Sequence, residues 1–171
     1  MTTIGLVADT HLPRFGRRMP RALLDGLVSA RVERILHLGD HTAPFVVEAL
    51  TAIAPVDAVA GNNDPPELVE RYGTRRIVEI GGVRIGLTHG HLGPGRNTPE
   101  RARRMFAEDG VGIVAFGHSH VPMCESVDGL WLINPGSPTD RRRQPAWSFG
   151  LIELDGGTIR PRIVTFADRS L

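Results

Sequence analysis

Ile4-Gly5-Leu6-Val7-Ala8-Asp9-Thr10-His11 sets a short apolar run directly against a carboxylate and an imidazole. The run from Ile4 to Ala8 has no basic flank and stops at Asp9, so it reads as a buried strand and not as a leader or membrane segment. The same arrangement recurs four times. Ile35–Leu38 is followed by Gly39-Asp40, and Val56–Ala60 by Gly61-Asn62-Asn63-Asp64. Val83–Thr88 is followed by His89-Gly90-His91, and Gly112–Phe116 by Gly117-His118-Ser119-His120. Ligands in α/β folds bind beyond the carboxyl ends of parallel strands, so these polar residues are expected to share one site.

Further strand-like runs lie at Ile77–Ile80, Leu130–Ile133, Phe149–Leu154 and Ile159–Thr165. Helical patterns at Pro20–Ala30, Pro44–Ile53, Pro65–Arg71 and Thr98–Glu108 make the first two thirds an alternation of β and α, while the last third is strand-rich. Thr98-Pro99 reads as a cap followed by a first-turn proline. Gly81-Gly82, Asp128-Gly129 and Gly156-Gly157 are two-residue hairpin turns that add antiparallel strands to a parallel core. No linker or repeat interrupts the chain. One α/β domain over residues 1–171 is expected, with sheet layers inside and helices outside.

A chain of 171 residues buries a core without disulfide or metal staples, so a metal site here is expected to serve function. All 20 basic residues are arginine, which excludes a lysine Schiff base and a P-loop lysine and leaves arginine as the side-chain cation for phosphate. The net charge of +1 gives no field for non-specific nucleic-acid binding. Cys124 is the single cysteine, which excludes an intramolecular disulfide and a thiolate zinc cluster and suits a reducing compartment. No stretch approaches the roughly 20 apolar residues of a membrane helix, and a cytoplasmic location is the expectation. Serine-hydrolase and dinucleotide-binding glycine motifs are both missing.

Residues two apart on an extended segment point to one side, so Asp9 with His11 and His118 with His120 are expected to chelate or straddle neighbouring ions. Carboxylate, amide oxygen and imidazole together suit divalent manganese, iron, nickel or zinc. Each motif alone matches an ordinary turn or a core histidine. Their conjunction at five strand ends, using four of the seven histidines, is what carries weight.

Asp9-Thr10-His11, Gly39-Asp40, Gly61-Asn62-Asn63-Asp64, His89-Gly90 and Gly117-His118-Ser119-His120 together resemble the calcineurin-like metallophosphoesterases, and within them the small YfcE-type phosphodiesterases. The likeness runs from Ile4 to about Pro138 and includes Asn134-Pro135-Gly136-Ser137 as a final active-site loop. It implies a layered sandwich of two mixed β-sheets flanked by helices. It also implies that Asp9, His11, Asp40 and His120 hold one metal and that Asp40, Asn62, His89 and His118 hold a second, with Asp40 bridging. Asp40, Asn62 and His89 are assigned to catalysis as well. Two such ions about 4 Å apart would clamp an in-line displacement by a bridging hydroxide, with no covalent enzyme intermediate. Manganese ranks first, with nickel, iron, zinc or magnesium as alternatives; the substrate is a small-molecule phosphoester, and self-association stays open.

Larger relatives in that family carry a histidine after the metal-binding asparagine, where this chain has Asn63. An amide cannot act as a general acid, so good leaving groups such as aryl or nucleotide esters are expected to be favoured. His91 reads as substrate-facing or as a surface-loop residue, His41 as loop packing at the site mouth, and His37 as a core histidine. Arg14 is a candidate phosphate grip, and Arg141-Arg142-Arg143 a weaker one. Two other function classes compete: a non-catalytic scaffold like the small retromer subunit, and a metal-dependent hydrolase of another bond.

Overall fold

The computed structural model describes residues 1–169. In chain order the elements are β1 (Thr2–Val7), α1 (Arg21–Ser29), β2 (Arg34–Leu38), α2 (Pro44–Thr51), β3 (Val56–Val59), α3 (Pro66–Tyr72) and β4 (Arg75–Ile80). There follow β5 (Val83–Thr88), α4 (Thr98–Met105), β6 (Ile113–Ala115), β7 (Met123–Val127), β8 (Leu130–Asn134), β9 (Trp147–Asp155) and β10 (Thr158–Phe166). They form two five-stranded mixed sheets, ordered β10-β9-β1-β2-β3 and β4-β5-β6-β8-β7.

Alternation along the strands decides the layering. In β1, Ile4 and Leu6 point into the core between the sheets with Leu36 and Leu38, where they meet Ile85, Leu87, Ile113 and Ile133 of the other sheet. Val7 and Ile35 point the other way, against Leu23 and Leu27 of α1 and Val46 and Leu50 of α2. Val114 and Leu132 do the same on the second sheet, beneath Ala102 and Phe106. Leu6, Leu36 and Leu38 have no solvent exposure, and truncating any one to alanine would cost about 2–5 kcal/mol.

β1, β2 and β3 run parallel, as do β5, β6 and β8, so the polar residues after β1, β2, β3, β5 and β6 come to a common edge. The three expected hairpins are present. Both central residues of each turn have positive φ, the conformation that suits the twist of tight hairpins. β7 is the partner strand that the Asp128-Gly129 turn implies, but no apolar run marks its extent, because as an edge strand it exposes Glu125 and Ser126. The start of α4 also differs. Asn97, not Thr98, is the cap, its side-chain oxygen accepting the N–H of Glu100 at 2.9 Å, and Thr98 is instead buried inside the first turn.

Candidate metal centre

β1 ends at Val7, and the chain then turns through Asp9 and His11, both in left-handed backbone at φ 54° and 44°. Asp40, His118 and His120 are left-handed too, at 57°, 68° and 60°. This corrects the expectation that Asp9 with His11 and His118 with His120 converge because their segments are extended. Tight left-handed turns bring them together, at a cost of order 1–3 kcal/mol per residue that the surrounding contacts must offset. Those contacts are visible. Ser137 Oγ donates to the Asp9 carbonyl at 2.8 Å and Thr139 Oγ1 to the Thr10 carbonyl at 2.6 Å. Asn134 Nδ2 donates to the Gly117 carbonyl at 2.8 Å. The loop after β8 thereby ties the first and the last ligand turns to one another.

One group of donors surrounds Asp9. Its Oδ1 lies 3.4 Å from His120 Nε2 and 3.7 Å from His11 Nε2, and those two nitrogens are 3.2 Å apart. A second group surrounds Asn62. Its Oδ1 lies 3.1 Å from His89 Nε2 and 3.0 Å from His118 Nδ1. Asp40 stands between them, with Oδ2 3.5 Å from His11 Nε2 and 3.3 Å from His89 Nε2. Asp9 also reaches across, since Oδ1 is 3.9 Å from His89 Nε2. All seven residues singled out in the sequence therefore meet at one place.

The donor set fits divalent ions. Ligand atoms at about 2.1 Å from a tetrahedral ion sit roughly 3.4 Å from one another, the spacing seen here. Asp9 Oδ1 is buried and accepts no hydrogen bond, although it is a carboxylate oxygen facing several nitrogens. His89 donates Nδ1–H to the Leu38 carbonyl at 2.8 Å and His120 donates Nδ1–H to the Asp140 carbonyl at 2.6 Å. Each bond fixes the tautomer that leaves Nε2 free to ligate.

The charges agree with that arrangement. Burial opposes ionisation of Asp9, yet the close His11, His120 and His89 rings outweigh it and hold the carboxyl at about 2. Asp40 is likewise held well below the carboxylate range against its burial, by His89 and by Asn63. Burial works against a charge on His89 too, but Asp40 and Asp9 raise its pKa to about 8. A metal ion entering here must displace that proton.

Asp64 was part of the quoted Gly-Asn-Asn-Asp stretch but received no role. It is buried, and its carboxylate takes three backbone N–H groups, from Gly61 at 2.7 Å, Asp40 at 2.9 Å and Thr42 at 2.7 Å. His41 Nδ1 lies 3.1 Å from the same carboxylate, and its ring packs at a tilt against His37 with centroids 4.0 Å apart. His37 is in the core as expected; its Nε2 pairs with Thr10 Oγ1 at 3.2 Å, and burial holds its pKa well below the ordinary value. Thr139 and Asp64 hold the site together, and no local motif marks Thr139. Gly61 permits the closeness, because a Cβ there would come within 2.2 Å of Asp40 Oδ1.

Asn63 faces Asp40. Its N–H donates to Oδ1 at 2.8 Å and its Nδ2 to Oδ2 at 2.7 Å. His91 is half-buried with its ring 5.3 Å from His89 and 6.1 Å from His118, so it borders the second donor group. Arg14 shares a cavity with His11, Thr42 and Asn63. Arg141 instead lies over Trp147 at 5.1 Å and donates to the Gln144 carbonyl, and Arg142 pairs with Asp140 at 3.7 Å.

Residues 2–157 match the sequence profile of the calcineurin-like phosphoesterase superfamily domain. The chain belongs to that superfamily. It is 35% identical over 161 residues to a probable metallophosphoesterase of Methanothermobacter thermautotrophicus, covering 94% of this chain and 91% of the relative. It is 28% identical over 148 residues to a phosphodiesterase of Methanocaldococcus jannaschii, covering 78% and 82%. Among solved structures it resembles Vps29 of Entamoeba histolytica in complex with zinc, with a TM-score of 0.72, 25% identity, and 96% and 99% of the two chains covered. Metallophosphoesterase membership implies divalent ions, and two groups of buried carboxylate and histidine ligands are present to receive them. No helix among the described residues is long and apolar enough to cross a membrane.

Proposed function

We propose that the protein is a phosphodiesterase that works with two divalent metal ions, manganese foremost. Asp9, His11, Asp40 and His120 would hold one, and Asp40, Asn62, His89 and His118 the other. The observation that carries this reading is the position of Asp40 Oδ2, 3.5 Å from a histidine of one group and 3.3 Å from a histidine of the other. An unshared carboxylate has no reason to sit there. When bound, the ions would supply an activated water and Lewis-acid stabilisation of the phosphoryl oxygens.

The protein's own residues supply geometry. Asn63 and Asp64 set the rotamer and the backbone of Asp40, and the Leu38 and Asp140 carbonyls aim His89 and His120. Hydrolysis adds the water oxygen to phosphorus and breaks one phosphorus–oxygen ester bond, releasing an alcohol and leaving a monoester. Asn63 is engaged with Asp40 and supplies no acid proton, which supports diesters with good leaving groups as substrates.

The test is turnover of bis(p-nitrophenyl) phosphate by chelated protein to which manganese, nickel, iron, zinc or magnesium is restored one at a time. Activity should vanish with the chelator and return with at least one ion. Stoichiometric metal binding with no turnover of any aryl diester or monoester would instead assign the chain to the scaffold class.

A further inference from the structure

Chain segments 11–24 and 42–49 pack against one another through Leu12, Met19, Leu23 and Val46, and their His11 end belongs to the metal centre. Near His11 they enclose a cavity of about 450 Å³ that Arg14 and Asn63 also line. Farther along the same two segments lies a second cavity, of about 440 Å³, which the reading above does not use. Arg17, Arg18 and Arg21 form its polar side, and Met19, Leu24 and Phe45 its apolar side.

Two features point to an anion. Arg17, Arg18 and Arg21 are exposed and have no carboxylate partner among the described residues, which is true also of Arg14, Arg31 and Arg160, but Arg17, Arg18 and Arg21 line one cavity together. Guanidinium groups crowded without counter-charge repel one another and attract an anion. Both α1 and α2 begin at this cavity, α1 with Arg21 and α2 just before Phe45, and neither start is capped by a side chain. At the start of α1 the N–H groups of Arg21 and Ala22 add positive partial charge, whereas α2 opens on Pro44, which has none to offer. The apolar side then asks for something other than free phosphate. Met19 is buried and Leu24 and Phe45 are half-buried, so the walls offer a surface for a ring, and guanidinium planes stack on rings as well as pairing with phosphate.

We propose that this cavity binds the phosphate and the planar base of a nucleotide, the 5′ end of a phosphodiester whose scissile phosphorus lies at the metal centre. The inference rests on the phosphodiesterase reading and extends it to a substrate class: a diester bearing a second phosphate beyond the one cleaved, such as a 5′-phosphorylated dinucleotide. Water adds to the internal phosphorus, the bond to one sugar oxygen breaks, and the terminal phosphate in the arginine cleft stays intact. Side-chain charge, not sequence readout, does the selecting, and the cavity's size limits the ligand to a small molecule.

The test compares a thymidine dinucleotide with and without its 5′-phosphate, using the metal-loaded wild type and the triple variant Arg17→Gln, Arg18→Gln, Arg21→Gln. The wild type should prefer the phosphorylated form by at least about tenfold in kcat/KM, and the variant's preference should fall to within about twofold. An equal preference in both proteins overturns the proposal. Calorimetric binding of adenosine monophosphate and of octyl phosphate to the same two proteins separates the two layers of the argument. If neither protein hydrolyses any diester but nucleotide binding weakens at least tenfold in the variant, the phosphodiesterase reading fails and the cleft stands. If dinucleotides are hydrolysed but both proteins bind the nucleotide equally, the cleft fails and the phosphodiesterase reading stands. Octyl phosphate binding more tightly than the nucleotide would overturn the planar-ring assignment.

Discussion

The buried carboxylate of Asp64 accepts the backbone N–H of Asp40 at 2.9 Å, so one aspartate holds in place the backbone of the other. The same carboxylate takes the N–H groups of Gly61 and Thr42. Asp64→Asn replaces an acceptor oxygen by a donor facing these N–H groups. It should cost about 2–4 kcal/mol of stability and weaken metal affinity about 10–100-fold, while kcat recovers at saturating metal. Urea titration together with a metal titration of activity checks this. A kcat that stays low at saturation would give Asp64 a part in the chemistry itself.

Asp40→Asn should be more damaging than loss of any single outer ligand such as His11 or His118. Removing the shared charge weakens both ion positions at once, so bound metal should fall for two ions and turnover by at least about a hundredfold. Elemental analysis of the purified variant beside His118→Ala decides it. Retention of two ions with near-normal diester turnover would show that Asp40 does not bridge, and would move that role to Asp9, whose Oδ1 also lies between histidines of both groups.

Asn63 contacts Asp40 through both its backbone and its side chain. Asn63→Ala removes the side-chain bond and frees one carboxylate oxygen to rotate, which should lower kcat/KM about tenfold or more. The steep dependence of rate on leaving-group pKa should persist, because no acid was lost. A series of substituted phenyl phosphodiesters measured with both proteins reads this directly. A flat series in the wild type would mean that another group, with His91 the nearest candidate, already supplies the proton.

The ion-free protein should lose stability as pH rises. His89 has a folded pKa of about 8 against an ordinary 6.5, so its charged form stabilises the fold fully below 6.5 and ceases to do so as pH passes through about 8. His120 shifts in the same direction, because the close Asp9 carboxylate and the Asp140 carbonyl outweigh burial. His37 moves the opposite way through burial and therefore acts only below 6.5. Calorimetry of chelated protein should show Tm falling between pH 6.5 and about 9, in a transition that stays cooperative because the core needs no metal. Metal affinity should climb over the same window, with protons released on binding. A Tm that is flat in chelated protein would mean that His89 is neutral there.

Local pattern was enough for the strands that matter. Ile4–Ala8 and Ile35–Leu38 are buried on both faces, so they read as continuous apolar runs, and each ends in residues that cannot stay in a core. The hairpins were legible because two-residue turns demand positive φ and advertise it with glycine or aspartate. The extent of β7 was not, since an exposed edge needs no apolar period. Nor was the cap of α4, where Asn97 and Thr98 are both competent and only packing chooses between them.

Residue type and short-range period in the sequence by itself determined an α/β domain and the polar residues that follow five strand ends, while the two-sheet sandwich and the seven-residue ligand set came with the family resemblance those motifs carry. Tertiary structure decided the rest. It set the left-handed turns that aim Asp9, His11, Asp40, His118 and His120, the clamp of Asp64 on Asp40, and the bond from Thr139 to Thr10. It also placed Arg17, Arg18 and Arg21 opposite Phe45. Such features depend on contacts between residues far apart in the chain, which only the closing of two sheets on one another brings within hydrogen-bond reach.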